Sequence, residues 1–288
     1  MFQNFICLCF LMLAVGCKQS ESDARLKKPT LLVSIAPYRF LTDRIAGSEY
    51  NIHAVVPDNA NPHIFEPTSS QVLEISHGLV WFQIGEPFEE KIYPVLKSKN
   101  PNLIVKDLRD GIDLIHECKC FAKETADHHI WMSPNLATHQ AKLIEETLSK
   151  RFPHHKAFFK KNLAELCAEL KSLDEEIHAR LQTVKHRSIL VSHSAFGYYC
   201  KEYGLTQISV EFEGKEPRPR HIEQILEAAE SDRMELALAL PQYNNKGIKL
   251  IAKELNAHVH SIDPYSADYF NTMRKLTDFI KEPYVDQN

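Results

Sequence analysis

Four side chains with metal-binding chemistry stand close to the ends of predicted strands. His193 and Asp263 each follow directly on a predicted strand, His63 lies in the loop after another, and His129 lies just before a predicted helix. Open α/β sheets bind their ligands beyond the carboxyl ends of the strands. We therefore expect these four residues, two from each half of the chain, to gather in one site between the halves.

Three imidazoles and one carboxylate form a suitable shell for one divalent transition metal ion. Imidazole suits Zn, Fe, Cu and Ni, and a carboxylate adds tolerance for Mn. A single His after a strand is more often a surface or hydrogen-bonded residue than a ligand, so the shared position of the four carries the prediction. Because only neutral imidazole binds a metal, affinity is expected to drop as the pH falls through about 6.5.

The elements that must position these residues alternate between strand and helix in both halves of the chain. Predicted strands cover 30–36, 50–56, 79–84 and 103–105, and then 188–192, 207–210, 236–240 and 258–262. Such alternation predicts an α/β fold with two lobes, each a small, mainly parallel sheet flanked by helices.

A long helical pattern separates the two halves. No Gly or Pro occurs between His154 and Val184, and apolar residues recur every three or four positions from Phe159 onward. That spacing predicts one face of a helix roughly 45 Å long. We interpret it as a rigid helix joining the lobes, with the metal site in the cleft between them; an ordinary core helix is the alternative.

Composition excludes several classes of protein. The 288 residues carry a net charge of −4. Because the chain lacks the excess of basic residues typical of nucleic-acid-binding proteins, we do not expect nucleic acid as a partner. Only 9 are Gly, and neither G-x-G-x-x-G nor G-x-x-x-x-G-K-[ST] occurs. The chain is therefore not expected to bind a nucleotide through a Gly-rich loop.

The N-terminus predicts export. Residues 5–16 form an uncharged apolar run that is too short for a bilayer span of roughly 20 residues but fits a secretory signal peptide. We assign 1–16 to that signal and 17–29 to a polar tether; a buried N-terminal strand or helix is the alternative. The residues before Cys17 resemble a lipoprotein box, which predicts a periplasmic protein held to a membrane only through a lipid on Cys17.

Longer motifs surround the candidate histidines. Residues 61–67 read Asn-Pro-His-Ile-Phe-Glu-Pro, residues 127–134 read Asp-His-His-Ile-Trp-Met-Ser-Pro, and residues 192–199 read Ser-His-Ser-Ala-Phe-Gly-Tyr-Tyr. These segments resemble the ligand segments of the metal-binding solute-binding proteins of bacterial zinc, manganese and iron ABC importers, family 9 of the periplasmic solute-binding proteins. Asp263-Pro264 matches the fourth segment, and the resemblance extends over about residues 30–280.

The resemblance implies a ligand set and a set of partners. It makes His63, His129, His193 and Asp263 the ligands of one transported metal ion, and it implies an ABC permease and its ATPase subunit as partners of a monomeric binding protein. Zinc is favoured over manganese or iron, because manganese-specific relatives often have Glu where His193 stands.

Two details of the motifs leave alternatives open. His128 beside His129 makes the register of the second ligand ambiguous, although the flanking Asp127 and Trp131 favour His129. Glu211 lies in a loop predicted near the cleft and is a further, weaker ligand candidate.

The predicted organisation is an N-terminal lobe over 30–153, a linking helix over 154–185 and a C-terminal lobe over 186–288. The predicted function is capture of a metal ion for import rather than catalysis. The first rival is a secreted metal-dependent hydrolase with Asp263 or Glu211 as its base, although neither H-E-x-x-H nor G-x-S-x-G occurs. The second is a surface adhesin that contains an incidental metal.

Overall fold

The computed structural model describes residues 28–117, 125–184, 188–211, 219–231 and 234–281. The predicted signal peptide, Cys17 and all but the last two residues of the predicted tether lie outside these ranges. Within them, no helix has both the length and the apolar character that crossing a bilayer requires.

A four-stranded parallel sheet forms the centre of the N-terminal lobe. Its strands are β1 (Thr30–Val33), β2 (Asn51–Ala54), β3 (Val80–Gln83) and β4 (Ile104–Asp107), in the order β2-β1-β3-β4. The helices of this lobe are α1 (Ala36–Ala46), α2 (Ser69–Ile75), α3 (Pro87–Lys99) and α4 (Pro134–Arg151). Two short antiparallel strands, β5 (His116–Glu117) and β6 (Thr125–Ala126), stand apart from the sheet. Leu31 to Val33 of β1 are fully buried, as expected for a parallel strand that is covered on both faces.

The C-terminal lobe has a second four-stranded parallel sheet. Its strands are β7 (Ser188–Val191), β8 (Thr206–Ser209), β9 (Leu236–Ala239) and β10 (His258–Ser261), in the order β10-β9-β7-β8. The helices are α6 (Gly197–Tyr203), α7 (Pro219–Ser231), α8 (Lys246–Glu254) and α9 (Tyr269–Lys281). The two sheets confirm the predicted fold class.

One long helix, α5 (Lys156–Leu181), connects the lobes and follows a 3-10 turn over Pro153–His155. Its 26 residues correspond to about 39 Å, somewhat shorter than the sequence pattern indicates. The buried face of α5 contacts α1 and α4 of the first lobe and α9 of the second. Its fully buried side chains are Phe159, Leu166, Leu170, Leu173 and Ile177. The helix is therefore both a connector and a core helix, and one hydrophobic cluster extends through both lobes.

Hydrogen bonds also join the lobes close to the cleft. The indole Nε1 of Trp131 donates to the carbonyl oxygen of Pro264 at 2.8 Å, and the Tyr269 hydroxyl donates to the carbonyl oxygen of Trp131 at 2.7 Å. The Tyr198 hydroxyl donates to the carbonyl oxygen of Asp127 at 2.8 Å and accepts from the backbone N–H of Ile115. A buried polar group without a hydrogen-bond partner destabilises the protein, so these bonds favour the relative position of the lobes in which all of them form.

Candidate metal site

Three imidazoles converge between the lobes. The ring centroids of His63, His129 and His193 lie 5.0 to 5.4 Å apart, and one nitrogen of each ring lies within 4.8 Å of the other two. The Nε2 atoms of His63 and His193 are separated by only 3.1 Å. The structure thus brings together three of the four residues that the sequence singles out.

Each imidazole is positioned by short local structure. His63 lies in a 3-10 turn over Pro62–Ile64, where the side chain of Asn61 accepts a hydrogen bond from the backbone N–H of His63 at 3.0 Å. His129 precedes a second 3-10 turn, Ile130–Met132, and lies in the cluster in preference to the half-buried His128. His193 follows β7, at the carboxyl end of the second sheet.

A carboxylate faces the Nδ1 atom of every histidine in the cluster. The distances are 2.8 Å from His63 to Glu86, 2.7 Å from His129 to Asp127 and 2.9 Å from His193 to Glu211. An ionised carboxylate only accepts hydrogen bonds, so this network assigns the proton of each neutral ring to Nδ1.

That tautomer places a lone pair on each Nε2, the ring atom that could bind a cation. The same arrangement, a carboxylate behind a histidine that binds zinc, orients the ring and makes it more basic toward the metal. The sequence motifs name none of these three partners securely. Glu86 and Glu211 come shortly after β3 and β8, so the strand-end criterion that identified the histidines extends to them.

Burial keeps two of the histidines neutral. It lowers the pKa of His129 to about 3 and that of His193 to about 4. Burial alone would also lower the pKa of His63, but the hydrogen bond and charge of Glu86 raise it. Burial raises the pKa of Asp127 to about 6, and the hydrogen bond from the backbone N–H of His129 opposes this rise.

The spacing of the nitrogens fits a metal ion. Two ligands of a tetrahedral zinc ion, each at about 2.0–2.1 Å, lie roughly 3.3 Å apart. The Nε2 atoms of His63 and His193 are 3.1 Å apart, with two lone pairs facing each other when both rings are neutral. A cation between them would convert that repulsion into attraction. The chemistry of the donor set therefore fits a divalent metal ion.

Asp263 is placed differently from the histidines. Its Oδ1 accepts hydrogen bonds from Nε2 of Gln242 at 2.8 Å and from the backbone N–H of Tyr265 at 2.9 Å. Among the described residues, the group of converging ligand atoms consists of the three histidines and does not include Asp263. Its predicted role as the fourth ligand stays a prediction.

Two tyrosines complete the surroundings of the cluster. The Tyr265 hydroxyl lies 2.8 Å from Nε2 of His129, and the Tyr243 ring stacks on His193 with centroids 4.2 Å apart. No motif in the sequence indicates either contact. His129 and Tyr265, for instance, are 136 positions apart in the chain.

Known proteins are similar to most of the chain. A protein of Chlamydia trachomatis (serovar D) named for metal binding is 29% identical over 268 residues, which cover 92% of this chain and 95% of that protein. The high-affinity zinc uptake system protein ZnuA of Bacillus subtilis is 26% identical, with 71% of this chain and 69% of that protein covered.

Solved structures of ZnuA share the fold. One is 30% identical with a TM-score of 0.83 and covers 88% of this chain and 98% of its own. A zinc-bound ZnuA deletion mutant gives the same identity and TM-score and covers 90% of this chain and 99% of its own. The family model described as the periplasmic zinc-uptake complex component A, ZnuA, matches residues 31–283, and the chain belongs to this family of metal-binding solute-binding proteins.

Proposed function

We propose that this protein captures one divalent metal ion, zinc in the first place, outside the cytoplasmic membrane and delivers it to the permease of an ABC importer. The observation that carries the proposal is the set of three histidines, each held by its own carboxylate with Nε2 directed into the cleft. Membership of the zinc-uptake family supports the same role, and the relatives named for zinc support the choice of metal.

Capture in this proposal uses a shell that is largely assembled in advance. Because hydrogen bonds already orient the three rings, little side-chain freedom would be lost when the ion binds. An imidazole-rich shell suits zinc, and manganese or iron are the alternatives that a carboxylate ligand would favour.

We propose Asp263 as the fourth ligand. To reach the ion, its carboxylate would give up the hydrogen bonds that it accepts from Gln242 and from the backbone of Tyr265. A closed shell of four protein ligands is typical of zinc that is held rather than used for catalysis, since catalytic zinc keeps one position open for water.

The hydrolase alternative lacks support from the geometry. Glu211, one of its two candidate bases, is paired with Nδ1 of His193 at 2.9 Å, and Asp263 accepts two hydrogen bonds outside the histidine cluster. Both carboxylates are thus engaged with protein groups, and neither is in contact with an Nε2 atom of the cluster in the hydrogen bonds described above.

Zinc titration against a competing chelator tests the proposal. The purified protein is expected to bind one zinc ion per chain, and His63→Ala and His193→Ala are expected to lose stoichiometric binding. His154→Ala is the matched control, because this exposed histidine lies in the turn before α5. Retention of wild-type affinity by both cleft variants would exclude the site.

Delivery to the transporter requires a second measurement. Zinc-loaded protein is expected to stimulate the ATPase activity of its cognate zinc importer after reconstitution. The His193→Ala variant is expected not to stimulate this activity in the presence of zinc. Equal stimulation by both proteins would mean that the protein acts on the permease whether or not it has bound zinc, and this would contradict delivery.

A further inference from the structure

A chain of hydrogen bonds runs from the partly buried Tyr243 through Tyr265 to Nε2 of His129, one of the proposed metal-binding nitrogens. The Tyr243 hydroxyl lies 3.0 Å from the Tyr265 hydroxyl, which lies 2.8 Å from Nε2 of His129. Tyr265 is only 6% exposed, so water does not compete freely for its hydroxyl group.

The direction of these hydrogen bonds follows from the carboxylate at the far end. Asp127 accepts from Nδ1 of His129, so Nε2 of that ring carries a lone pair and must be the acceptor. Tyr265 is then the donor to Nε2, and its oxygen accepts the hydrogen bond from Tyr243. The lone pair that would bind the metal ion is therefore used by the Tyr265 hydroxyl.

The same tyrosine also holds the proposed fourth ligand. The backbone N–H of Tyr265 donates to Oδ1 of Asp263 at 2.9 Å, and Gln242 donates to the same oxygen at 2.8 Å. One residue thus contacts two of the four proposed ligands, through its side chain and through its backbone. Both contacts use atoms that would otherwise be available to the ion.

We propose that Tyr265 is a positioning residue that competes with the metal ion for His129 and so limits affinity in favour of release. This inference rests on the proposed function. An ion that coordinates His129 through Nε2 displaces the phenol hydroxyl. When the ion departs, the hydroxyl returns to Nε2, so the buried lone pair is not left without a partner. The competition makes release to a transporter less costly than it would be from a site with three unpaired imidazoles.

The first test compares zinc affinity in matched Tyr→Phe variants. Tyr265→Phe keeps the ring but removes the competing donor, and its zinc affinity is expected to rise about fivefold, equivalent to roughly 1 kcal/mol. Its zinc dissociation rate is expected to fall accordingly. Tyr199→Phe is the control, because this buried hydroxyl is paired with Thr277 and contacts none of the three histidines. Unchanged or weaker zinc binding by Tyr265→Phe, with the control at wild-type affinity, overturns the proposal.

A second measurement uses the wild-type protein and does not depend on the variant folding. In a zinc-free sample, nuclear magnetic resonance should show a scalar coupling between the Tyr265 hydroxyl proton and the Nε2 nitrogen of His129, and zinc should abolish it. Absence of this coupling overturns the proposal even if the protein binds zinc. Failure of the wild-type protein to bind zinc instead overturns the proposed function, whereas the coupling in the zinc-free sample still tests the hydrogen bond.

Discussion

Gly197 offers a sharp test of how the protein orients His129, the second of the proposed metal ligands. This residue begins α6, where the absence of a side chain lets the Asp127 carboxylate approach the backbone. A Cβ atom at position 197 would lie 2.5 Å from Oδ2 of Asp127 and 3.2 Å from Nε2 of Gln207, whereas ordinary contacts begin near 3.4 Å. In the variant Gly197→Ala, the carboxylate must therefore move by about 0.9 Å to restore an ordinary contact.

The backbone around Asp127 resists that movement. Its carbonyl oxygen accepts from the Tyr198 hydroxyl and its N–H donates to the carbonyl oxygen of Ile115, both at 2.8 Å. The side chain must turn instead, which carries Oδ1 away from Nδ1 of His129. A bond that measures 2.7 Å is then stretched beyond about 3.2 Å, the usual limit of a hydrogen bond. When a histidine that binds a metal loses the hydrogen-bond partner of its other ring nitrogen, metal affinity falls by about 10- to 100-fold. We expect a loss of this size in Gly197→Ala.

Zinc competition titration of Gly197→Ala is the assay, with thermal unfolding as the second readout. Overpacking is expected to cost about 1–3 kcal/mol of stability. Gly204→Ala, at the other end of α6, is the matched control. It has a left-handed φ of +68° but no atom within 4 Å of a new Cβ, so it should lose about 1 kcal/mol of stability and keep its zinc affinity. A zinc affinity of Gly197→Ala within twofold of wild type would refute the reasoning.

Three further predictions concern the carboxylates and the core. Glu211→Ala removes the partner of His193 and should lower zinc affinity by about 10- to 100-fold in the same titration, with unchanged affinity as the contrary result. Burial raises the pKa of Glu89 to about 7, so its contribution to stability is present below its unfolded value near 4.5 and is lost as the pH rises through about 7. The unfolding free energy of wild type should accordingly decline relative to that of Glu89→Gln between about pH 5 and 8, and parallel profiles would contradict this. Leu170→Ala should lower the free energy of unfolding by about 2–5 kcal/mol, in one cooperative transition, because the fully buried Leu170 belongs to the core shared by both lobes. Leu250→Ala is the control, since Leu250 is half-exposed, and should change the free energy of unfolding by less than about 0.5 kcal/mol.

Local sequence patterns were sufficient to predict the main architecture. Alternating strand and helix signals indicated two parallel sheets, and the uninterrupted apolar spacing after Phe159 indicated α5. Both follow from short-range rules, namely the period of the side chains along an element and the residues that interrupt it. The actual ends of α5 differ from the predicted 154–185, since a 3-10 turn over Pro153–His155 precedes the helix and the helix ends at Leu181.

The strand-end criterion accounts for His193, directly after β7, and for His63, in the loop after β2, whereas His129 lies before a 3-10 turn and follows no strand of either sheet. It works because the carboxyl ends of parallel strands meet at one edge of each sheet, and the cleft lies between two such edges. The same criterion gave Asp263 equal standing with the histidines, although its carboxylate contacts Gln242 and the Tyr265 backbone. Proximity of a backbone segment to the cleft does not determine which neighbour its side chain selects.

What the sequence determined by itself is therefore the residue types at the cleft and the elements that carry them there. Only the tertiary structure decided the partners: Glu86 for His63, Glu211 for His193, and Tyr265 for His129. These pairs join positions 23, 18 and 136 residues apart, across different strands and across the two lobes. The physical reason is that a hydrogen bond depends on distances of a few tenths of an ångström. Those distances are set by how the sheets and the connecting helix pack, which no local pattern in the chain contains.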